Sequence, residues 1–242
     1  MVRCPADGKG ASVPETEVLT LLGIGFLLGV RHALDVDHVA AVSTVLAERP
    51  SVRASGVVGF WWGVGHTLTL LIVGLFVLTL GIRIPESFAV AAECGVGILL
   101  ILLGGSLAVN LYREQWHVHS HHHAGERHLH LHSHRIQEDH GHRHWGARSL
   151  RPLFIGMAHG LAGSAALMLL ILSTTRGIAQ GLLYIAVFGI GSILGMMAIG
   201  LTISLPVVCS LTISRRTFFA VQGIASVASL CVGVWMLIKL TS

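Results

Sequence analysis

The chain has 242 residues, of which 53% are apolar and only 12% are charged, with a formal net charge of +4. The mean hydropathy is +0.74. This composition excludes a soluble globular domain and predicts an all-α polytopic membrane protein.

Six apolar runs follow one another, each long enough to cross a hydrocarbon core that needs about 20 residues of helix. They cover residues 18–46, 55–81, 88–111, 151–173, 178–208 and 217–240. The polar segment 1–17 lacks the pattern of a cleaved signal peptide. We therefore expect the first run to remain as the first of six transmembrane helices.

An internal repeat relates the first and second halves of the chain. The sequence GVRH at 29–32 matches GMAH at 156–159, and segment 62–68 matches segment 188–194, with offsets of 127 and 126 residues. Because each half has three spans, the halves enter the membrane from opposite sides, which predicts a 3+3 inverted repeat. Chance similarity between glycine-rich helices is the alternative.

The predicted organisation is repeat 1 at 18–112 (helices 1–3), a histidine-rich loop at 113–150, and repeat 2 at 151–242 (helices 4–6). Basic residues outside the helices are biased toward the side that holds this loop. Under the positive-inside rule the loop is cytoplasmic and both termini are outside. The basic residues therefore indicate the orientation of the helices and not a nucleic-acid partner.

Four ionisable side chains lie within seven residues of the first run: His32, Asp35, Asp37 and His38. An ionised side chain at the centre of a bilayer costs about 3 kcal/mol unless it is paired, hydrated or bound to a cation. The cluster therefore predicts a functional intramembrane site. A buried network that holds the helices together without a metal is the structural alternative.

In a regular helix His32, Asp35 and His38 lie on one stripe about 120° wide, whereas Asp37 points elsewhere. A site that also uses Asp37 requires local unwinding or a different role for one carboxylate. Imidazole nitrogen with carboxylate oxygen suits nickel, cobalt, zinc, copper or iron better than magnesium or calcium. All four residues are predicted metal ligands, and which aspartate faces the ion stays open.

Two more histidines lie in apolar runs and are predicted to complete the metal site. His66 follows a Gly-x-Gly sequence in the second run, where small residues let a neighbouring helix approach closely. An interhelical hydrogen bond is the equally weighted alternative for this side chain. His159 occupies in the second half the position of His32, although that half lacks the rest of the cluster.

The segment between Trp116 and Trp145 is rich in histidine and almost free of apolar residues, which predicts a disordered, metal-binding loop. A non-specific buffer and a pH-sensitive spacer are the alternatives. The loop ligands predicted here are His117, His119, His121, His122, His123, His128, His130, His132, His134, His140, His142 and His144.

The spacing His-x4-Asp-His at 32–38 resembles the signature of the nickel/cobalt transporter family, and Gly-His-Thr at 65–67 is similar to that family's Gly-His-Ser/Thr motif. The resemblance implies secondary transport of Ni²⁺ or Co²⁺ as substrate, without a prosthetic cofactor. It also implies that His32, Asp37 and His38 are essential, with His66 contributing from the next helix.

Two departures from the family pattern refine this resemblance. The best-known members have eight spans with the signature on the second, whereas here it lies on the first of six. The sequence HGLAGS at 159–164 stands where the family has an Asp-Thr-Ala-Thr-Glu type motif. The chain is therefore more similar to the six-helix urease-accessory nickel permease branch, and to histidine-loop efflux proteins.

We expect an integral protein of a bacterial cytoplasmic membrane that is not an enzyme. Its expected partners are a divalent transition-metal ion, the lipid bilayer and cytoplasmic nickel chaperones, with no nucleic acid. Uptake is the favoured direction. An ion gradient or the membrane potential is the expected energy source, because no Walker-type nucleotide-binding motif occurs. The alternatives are nickel/cobalt efflux and a membrane-anchored metal-binding chaperone. An intramembrane metalloenzyme is disfavoured, because no His-Glu-x-x-His motif is present.

Overall fold

A computed structural model describes residues 15–48, 51–115, 122–123, 126–127, 145–175 and 177–241. Helices dominate these residues, and the sole sheet among them is one antiparallel pair of two-residue strands. The elements are α1 (Glu15–His32), α2 (Val36–Ala47), α3 (Val52–Leu80), α4 (Glu86–Gln115), β1 (His122–His123), β2 (Glu126–Arg127), α5 (Trp145–Thr174), α6 (Ile178–Ile213) and α7 (Arg215–Thr241).

The helices α3, α4, α6 and α7 are each long and apolar enough to cross a membrane, and α1 with α2 forms a fifth candidate span. Large apolar side chains such as Phe76, Leu102 and Ile224 are exposed on their outer faces. Soluble proteins rarely expose apolar surface on this scale. The prediction of a polytopic helical protein integral to a membrane is confirmed. The 30-residue helix α5 is not among the candidate spans, so the six-span layout stays a prediction.

The first predicted helix, 18–46, is wrong as a continuous element. Its first part ends at His32, a second helix begins at Val36, and the two are bent by 53°. Asp35 is the N-cap residue of α2 and has extended backbone angles, φ −61° and ψ 144°. Aspartate is more favourable at an N-cap than in a helix interior, because in the interior its side chain competes with the helix for backbone hydrogen bonds.

Polar and glycine residues set the other helix ends. The Ser51 hydroxyl accepts a hydrogen bond from the backbone N–H of Ala54 at 3.4 Å and begins α3, which ends at Gly81 with φ 63°. A positive φ favours glycine because it has no Cβ. Ser214 is the single residue between α6 and α7, and its hydroxyl accepts from the backbone N–H of Thr217 at 3.1 Å.

Glycines let α1 cross α6, and α3 cross α5, at backbone contact. A side-chain carbon at Gly29 of α1 would collide with the carbonyl oxygen of Phe188, and one at Gly156 of α5 with that of Trp62. The partner helices reciprocate. A carbon at Gly191 of α6 would strike the carbonyl oxygen of Phe26, and one at Gly65 of α3 that of Leu153. Small residues at such crossings give the close packing that stabilises membrane helix pairs.

A third close pair joins α4 and α7. A Cβ at Gly104 would lie 2.8 Å from the carbonyl oxygen of Ser226, and a Cβ at Gly233 would lie 2.6 Å from that of Gly97. The Ser226 hydroxyl also donates to the Gly104 carbonyl at 2.8 Å, and Ser229 donates to the Leu100 carbonyl at 2.9 Å. These buried serines satisfy their hydroxyls across the helix interface. The arrangement leaves a core around Trp62, which lies beside the histidines.

Candidate metal centre

The break between α1 and α2 brings two histidines of the first run together. His32 closes α1 and His38 lies in the first turn of α2, with ring centroids 4.8 Å apart. The predicted single stripe of His32, Asp35 and His38 is wrong, because the regular helix on which it depends is interrupted after His32. Interrupted helices at membrane depth occur where the backbone is buried in protein or lines a cavity.

Asp35 holds the His32 ring in one orientation. Its Oδ2 lies 2.7 Å from His32 Nδ1, with the histidine side chain 21% exposed and the carboxylate 52% exposed. An ionised carboxylate only accepts hydrogen bonds, so Nδ1 carries the hydrogen, and in the neutral ring Nε2 carries the lone pair. A carboxylate behind an imidazole in this way is typical of histidines that bind metals.

The Nε2 atom of His32, which carries the lone pair, faces His66 on α3. The two Nε2 atoms are 3.2 Å apart, and His66 is fully buried. Metal–imidazole bonds of about 2.0–2.1 Å place two nitrogens that share one ion roughly 2.9–3.4 Å apart, for bond angles between about 90° and 109°. The observed separation lies within that range. A cation between the atoms would replace the hydrogen that they share.

His38 completes a group of three possible ligands. One nitrogen from each of His32, His38 and His66 lies within 4.8 Å of the others. Because the largest separation exceeds the span for two adjacent ligands of one ion, His38 must approach by about 1.4 Å to bind as a neighbouring ligand. Asp37 lies beside this ring, with its Oδ2 3.8 Å from His38 Nε2, too far for a hydrogen bond.

His159 on α5 lies next to this group but outside it. Its ring is buried, 5.2 Å from the His38 ring and 5.0 Å from the Trp62 ring between centroids. Its Nδ1 lies 2.9 Å from the carbonyl oxygen of Ile155. The structure therefore brings together His32, His38 and His66, and it places His159 behind His38.

Three imidazole nitrogens of the cluster are buried without a hydrogen-bond partner in the described part of the chain: His38 Nδ1, His66 Nδ1 and His159 Nε2. A buried polar atom left unsatisfied costs about 1–3 kcal/mol. Such atoms concentrated in one place are typical of a functional site and not of a packing core. Imidazole nitrogen with nearby carboxylate oxygen suits a divalent transition metal.

Several contacts of the cluster were not predicted from the sequence. The Phe188 ring packs against His32 at 5.5 Å between centroids, as Trp62 does against His159. On α5, a Cβ at Gly160 would lie 2.6 Å from the His66 carbonyl oxygen, whereas one at Gly163 would lie 3.5 Å from His32 Cε1. The spacing His-Gly-x-x-Gly at 159–163 is the signal that could have identified these glycines.

Most of the predicted loop ligands lie outside the residues that the structure describes. His122 and His123 are described as the backbone of β1, and the other ten loop histidines fall in the undescribed ranges 116–121, 124–125 and 128–144. The predicted polar segment 1–17 is described from residue 15 onward. The helices α4 and α5 reach into the segment 113–150, to Gln115 and from Trp145.

The fold and the cluster define a polytopic helical membrane protein with a buried histidine group at an interrupted helix. The chain is 38% identical over 215 residues to the urease accessory protein UreH of Bacillus sp. (strain TB-90), covering 88% of this chain and 89% of that protein. The chain therefore belongs to the nickel/cobalt transporter family, among its urease accessory members.

Two shorter similarities accompany this one. The nickel transporter NixA of Staphylococcus aureus (strain NCTC 8325 / PS 47) is 31% identical over 99 residues, which is 35% of this chain and 28% of that protein. The chloroplast protein FOR GROWTH AND FERTILITY 2 of Arabidopsis thaliana is 36% identical over 97 residues, 39% of this chain and 26% of that protein. No family model and no solved structure matches the chain. These relatives also confirm the prediction that the chain is not an enzyme, because they are an accessory protein and a transporter.

Proposed function

We propose that this chain is a secondary transporter that moves Ni²⁺, and also Co²⁺, across the membrane through the histidine cluster. The observation that carries the proposal is the 3.2 Å separation of His32 Nε2 and His66 Nε2, which fits two ligands of one ion. The name of one relative, a nickel transporter, points to the same substrate.

In this proposal His32 and His66 capture the ion, and His38 moves in as the third ligand. Asp35 orients His32 through the 2.7 Å contact with Nδ1. Asp37 lies beside His38 and provides a negative charge that offsets the charge of the cation. The break between α1 and α2 supports this arrangement, because it frees His38 from the stripe that a straight helix would impose. The sequence had left open which aspartate faces the ion, and we assign the orienting role to Asp35.

The glycine contacts support a 3+3 inverted repeat, with repeat 1 at 18–112 and repeat 2 at 151–242. In this repeat α1 and α2 together form one broken span, and that span corresponds to α5. Helix α3 corresponds to α6, and α4 corresponds to α7. The collision of Gly29 with Phe188 then corresponds to that of Gly156 with Trp62, because Gly156 lies 127 residues after Gly29 and Phe188 lies 126 residues after Trp62. Equivalent helices thus cross at equivalent residues.

The other close contacts follow the same relation. The collision of Gly65 with Leu153 corresponds to that of Gly191 with Phe26 at the same two offsets. The pair Gly104 and Ser226 corresponds to Gly233 and Gly97 at an offset of 129 residues. A chance similarity of sequence has no reason to reproduce three sets of backbone contacts. Inverted repeats of this kind place a substrate site near the bilayer midplane, where one half rocks against the other.

We place the histidine-rich loop in the cytoplasm and both termini outside, as the distribution of basic residues favours. There the loop exchanges ions with cytoplasmic nickel chaperones. A membrane potential acts on a divalent cation with about 4.6 kcal/mol per 100 mV, which is sufficient to drive uptake into a negative interior. We therefore propose uptake as the direction.

Flux of radioactive nickel into sealed liposomes that hold the purified protein tests the function. We expect saturable flux that His32→Ala abolishes, with Co²⁺ competing more strongly than Zn²⁺. Tyr184→Phe is the matched control and should transport normally. It removes one hydroxyl from a buried ring in a core cluster that is separate from the cluster around Trp62. Nickel that binds but never crosses, even under an imposed potential, would favour a membrane-anchored chaperone.

Growth of a deletion strain separates uptake from efflux. Loss of an importer impairs growth when nickel is limiting, whereas loss of an exporter impairs growth when nickel is in excess. Sensitivity to excess nickel alone would reverse the proposed direction and leave the metal site unchanged.

A further inference from the structure

We propose that His159 receives the ion after capture, in a second position formed with His38 and Asp37. The inference rests on the proposed transport function and divides its site in two. In the first position the ion is bound by His32, His66 and His38. In the second it is bound by His38 and His159, so that His38 is common to both.

The chemistry of His159 is that of a metal ligand held ready. A backbone carbonyl only accepts hydrogen bonds, so the 2.9 Å contact with Ile155 places the hydrogen of His159 on Nδ1. The lone pair of the neutral ring is then on Nε2. That atom is buried and has no hydrogen-bond partner in the described part of the chain. Orientation of an imidazole by a carbonyl behind it is common in metal sites.

The His38 ring lies next to both His32 and His159. Its ring centroid is 4.8 Å from that of His32 and 5.2 Å from that of His159. His159 lies outside the group formed by His32, His38 and His66, whose nitrogens lie within 4.8 Å of one another. A rotation of the His38 side chain can carry an ion from one group to the other.

Asp37 provides the carboxylate for the second position. Its Oδ2 is 3.8 Å from Nε2 of His38, the ring that is common to both positions. Two imidazoles and a carboxylate form a ligand set that suits a divalent transition metal and leaves coordination sites open.

The proposed repeat relates the two positions to each other. His159 occupies in α5 the position that His32 occupies at the end of α1, and each ring packs on an aromatic side chain of the other half. His32 contacts Phe188 at 5.5 Å, and His159 contacts Trp62 at 5.0 Å, between ring centroids. In an inverted repeat, equivalent residues lie on opposite sides of the midplane. Transfer from His32 to His159 therefore moves the ion between equivalent positions of the two halves.

The alternative is that His159 is a buried ring that only packs against Trp62. The two roles differ in which quantity changes when the nitrogen ligand is removed. His159→Phe keeps a ring against Trp62, and His159→Gln keeps a polar group if the first variant does not fold. Nickel affinity is measured by equilibrium dialysis with radioactive Ni²⁺ in detergent, and flux is measured in liposomes, with thermal unfolding as a check on folding.

We expect the variants to bind Ni²⁺ within threefold of the wild-type affinity but to transport it at least tenfold more slowly. His32→Ala should lose both binding and flux. Equal losses of affinity and flux would make His159 a ligand of the first position, and unchanged flux would make it a packing residue, so either result overturns the inference. If the wild-type protein itself shows no flux, the proposed function fails, which is distinct from a defect confined to the variants.

Discussion

Replacing Gly160 with alanine tests whether α5 sets the position of His66. A Cβ there would lie 2.6 Å from the His66 carbonyl oxygen and 3.1 Å from its Cα, whereas ordinary contact begins near 3.4 Å. The two helices must therefore separate by about 0.8 Å at this point. Added to the 3.2 Å between His32 Nε2 and His66 Nε2, that shift takes the pair to as much as about 4.0 Å, beyond the separation of two adjacent ligands of one ion.

We expect Gly160→Ala to lower nickel affinity at least tenfold, which corresponds to about 1.4 kcal/mol. Overpacking should also lower the free energy of unfolding by about 1–3 kcal/mol. Equilibrium dialysis with radioactive Ni²⁺ and thermal unfolding in detergent measure the two effects. Gly105→Ala is the control, because no atom lies within 4 Å of its added Cβ. A folded Gly160→Ala protein with wild-type affinity would refute the reasoning.

Three further predictions concern the surroundings of the site. Asp35→Asn should lower nickel affinity about 10–100-fold, because a weaker acceptor then orients His32, and an unchanged dissociation constant would contradict the orienting role. Glu48→Gln removes the partner of Arg151, 2.9 Å away at a half-exposed position. It should reduce the free energy of unfolding by about 1 kcal/mol or less, and less in high salt, whereas a loss of nickel flux would show that the ion pair matters to transport. Deleting residues 117–144 should leave maximal flux in liposomes intact and change the apparent affinity for nickel, and complete loss of flux would instead indicate that the loop is an obligatory part of the pathway.

Hydropathy predicted most helix positions closely, because lipid-facing segments must be long and apolar whatever their tertiary contacts. The second predicted helix, 55–81, corresponds to α3 (Val52–Leu80), and the sixth, 217–240, to α7 (Arg215–Thr241). The fifth, 178–208, was too short at its end, since α6 continues to Ile213 with Pro206 inside it. The bilayer sets a minimum length for a span but no maximum.

The interruption at residues 33–35 was harder to predict, because hydropathy does not distinguish a straight apolar helix from a broken one. Two aspartates within three residues were the available signal, since aspartate at a helix N-terminus is favourable and in a helix interior is not. The sequence did raise local unwinding as one way to use Asp37. The sequence alone does not distinguish unwinding from a straight helix, because the packing of α1 against α6 is known only from the structure.

The clustering of three histidines was predictable, but the place of His159 outside that cluster was not. His32, His38 and His66 were all predicted as ligands from their type and setting, and the structure brings them within 4.8 Å. His159 was also predicted to close the site. Its separation from the other three depends on how deeply α5 approaches α3, and that depth follows from backbone contacts at Gly65 and Gly156.

The turn at Ser214 joins α6 to α7 and sets the height at which α7 begins. With 36 residues at about 1.5 Å each, α6 is roughly 54 Å long, whereas the hydrocarbon layer is about 30 Å thick. Even a strong tilt leaves more than a full turn of α6 outside the hydrocarbon. Because a single residue leads into α7, the start of that helix is held at the same height. Arg215 and Arg216 follow Ser214 directly, and basic side chains at the end of an apolar helix favour the headgroup region, which opposes movement of this turn into the hydrocarbon.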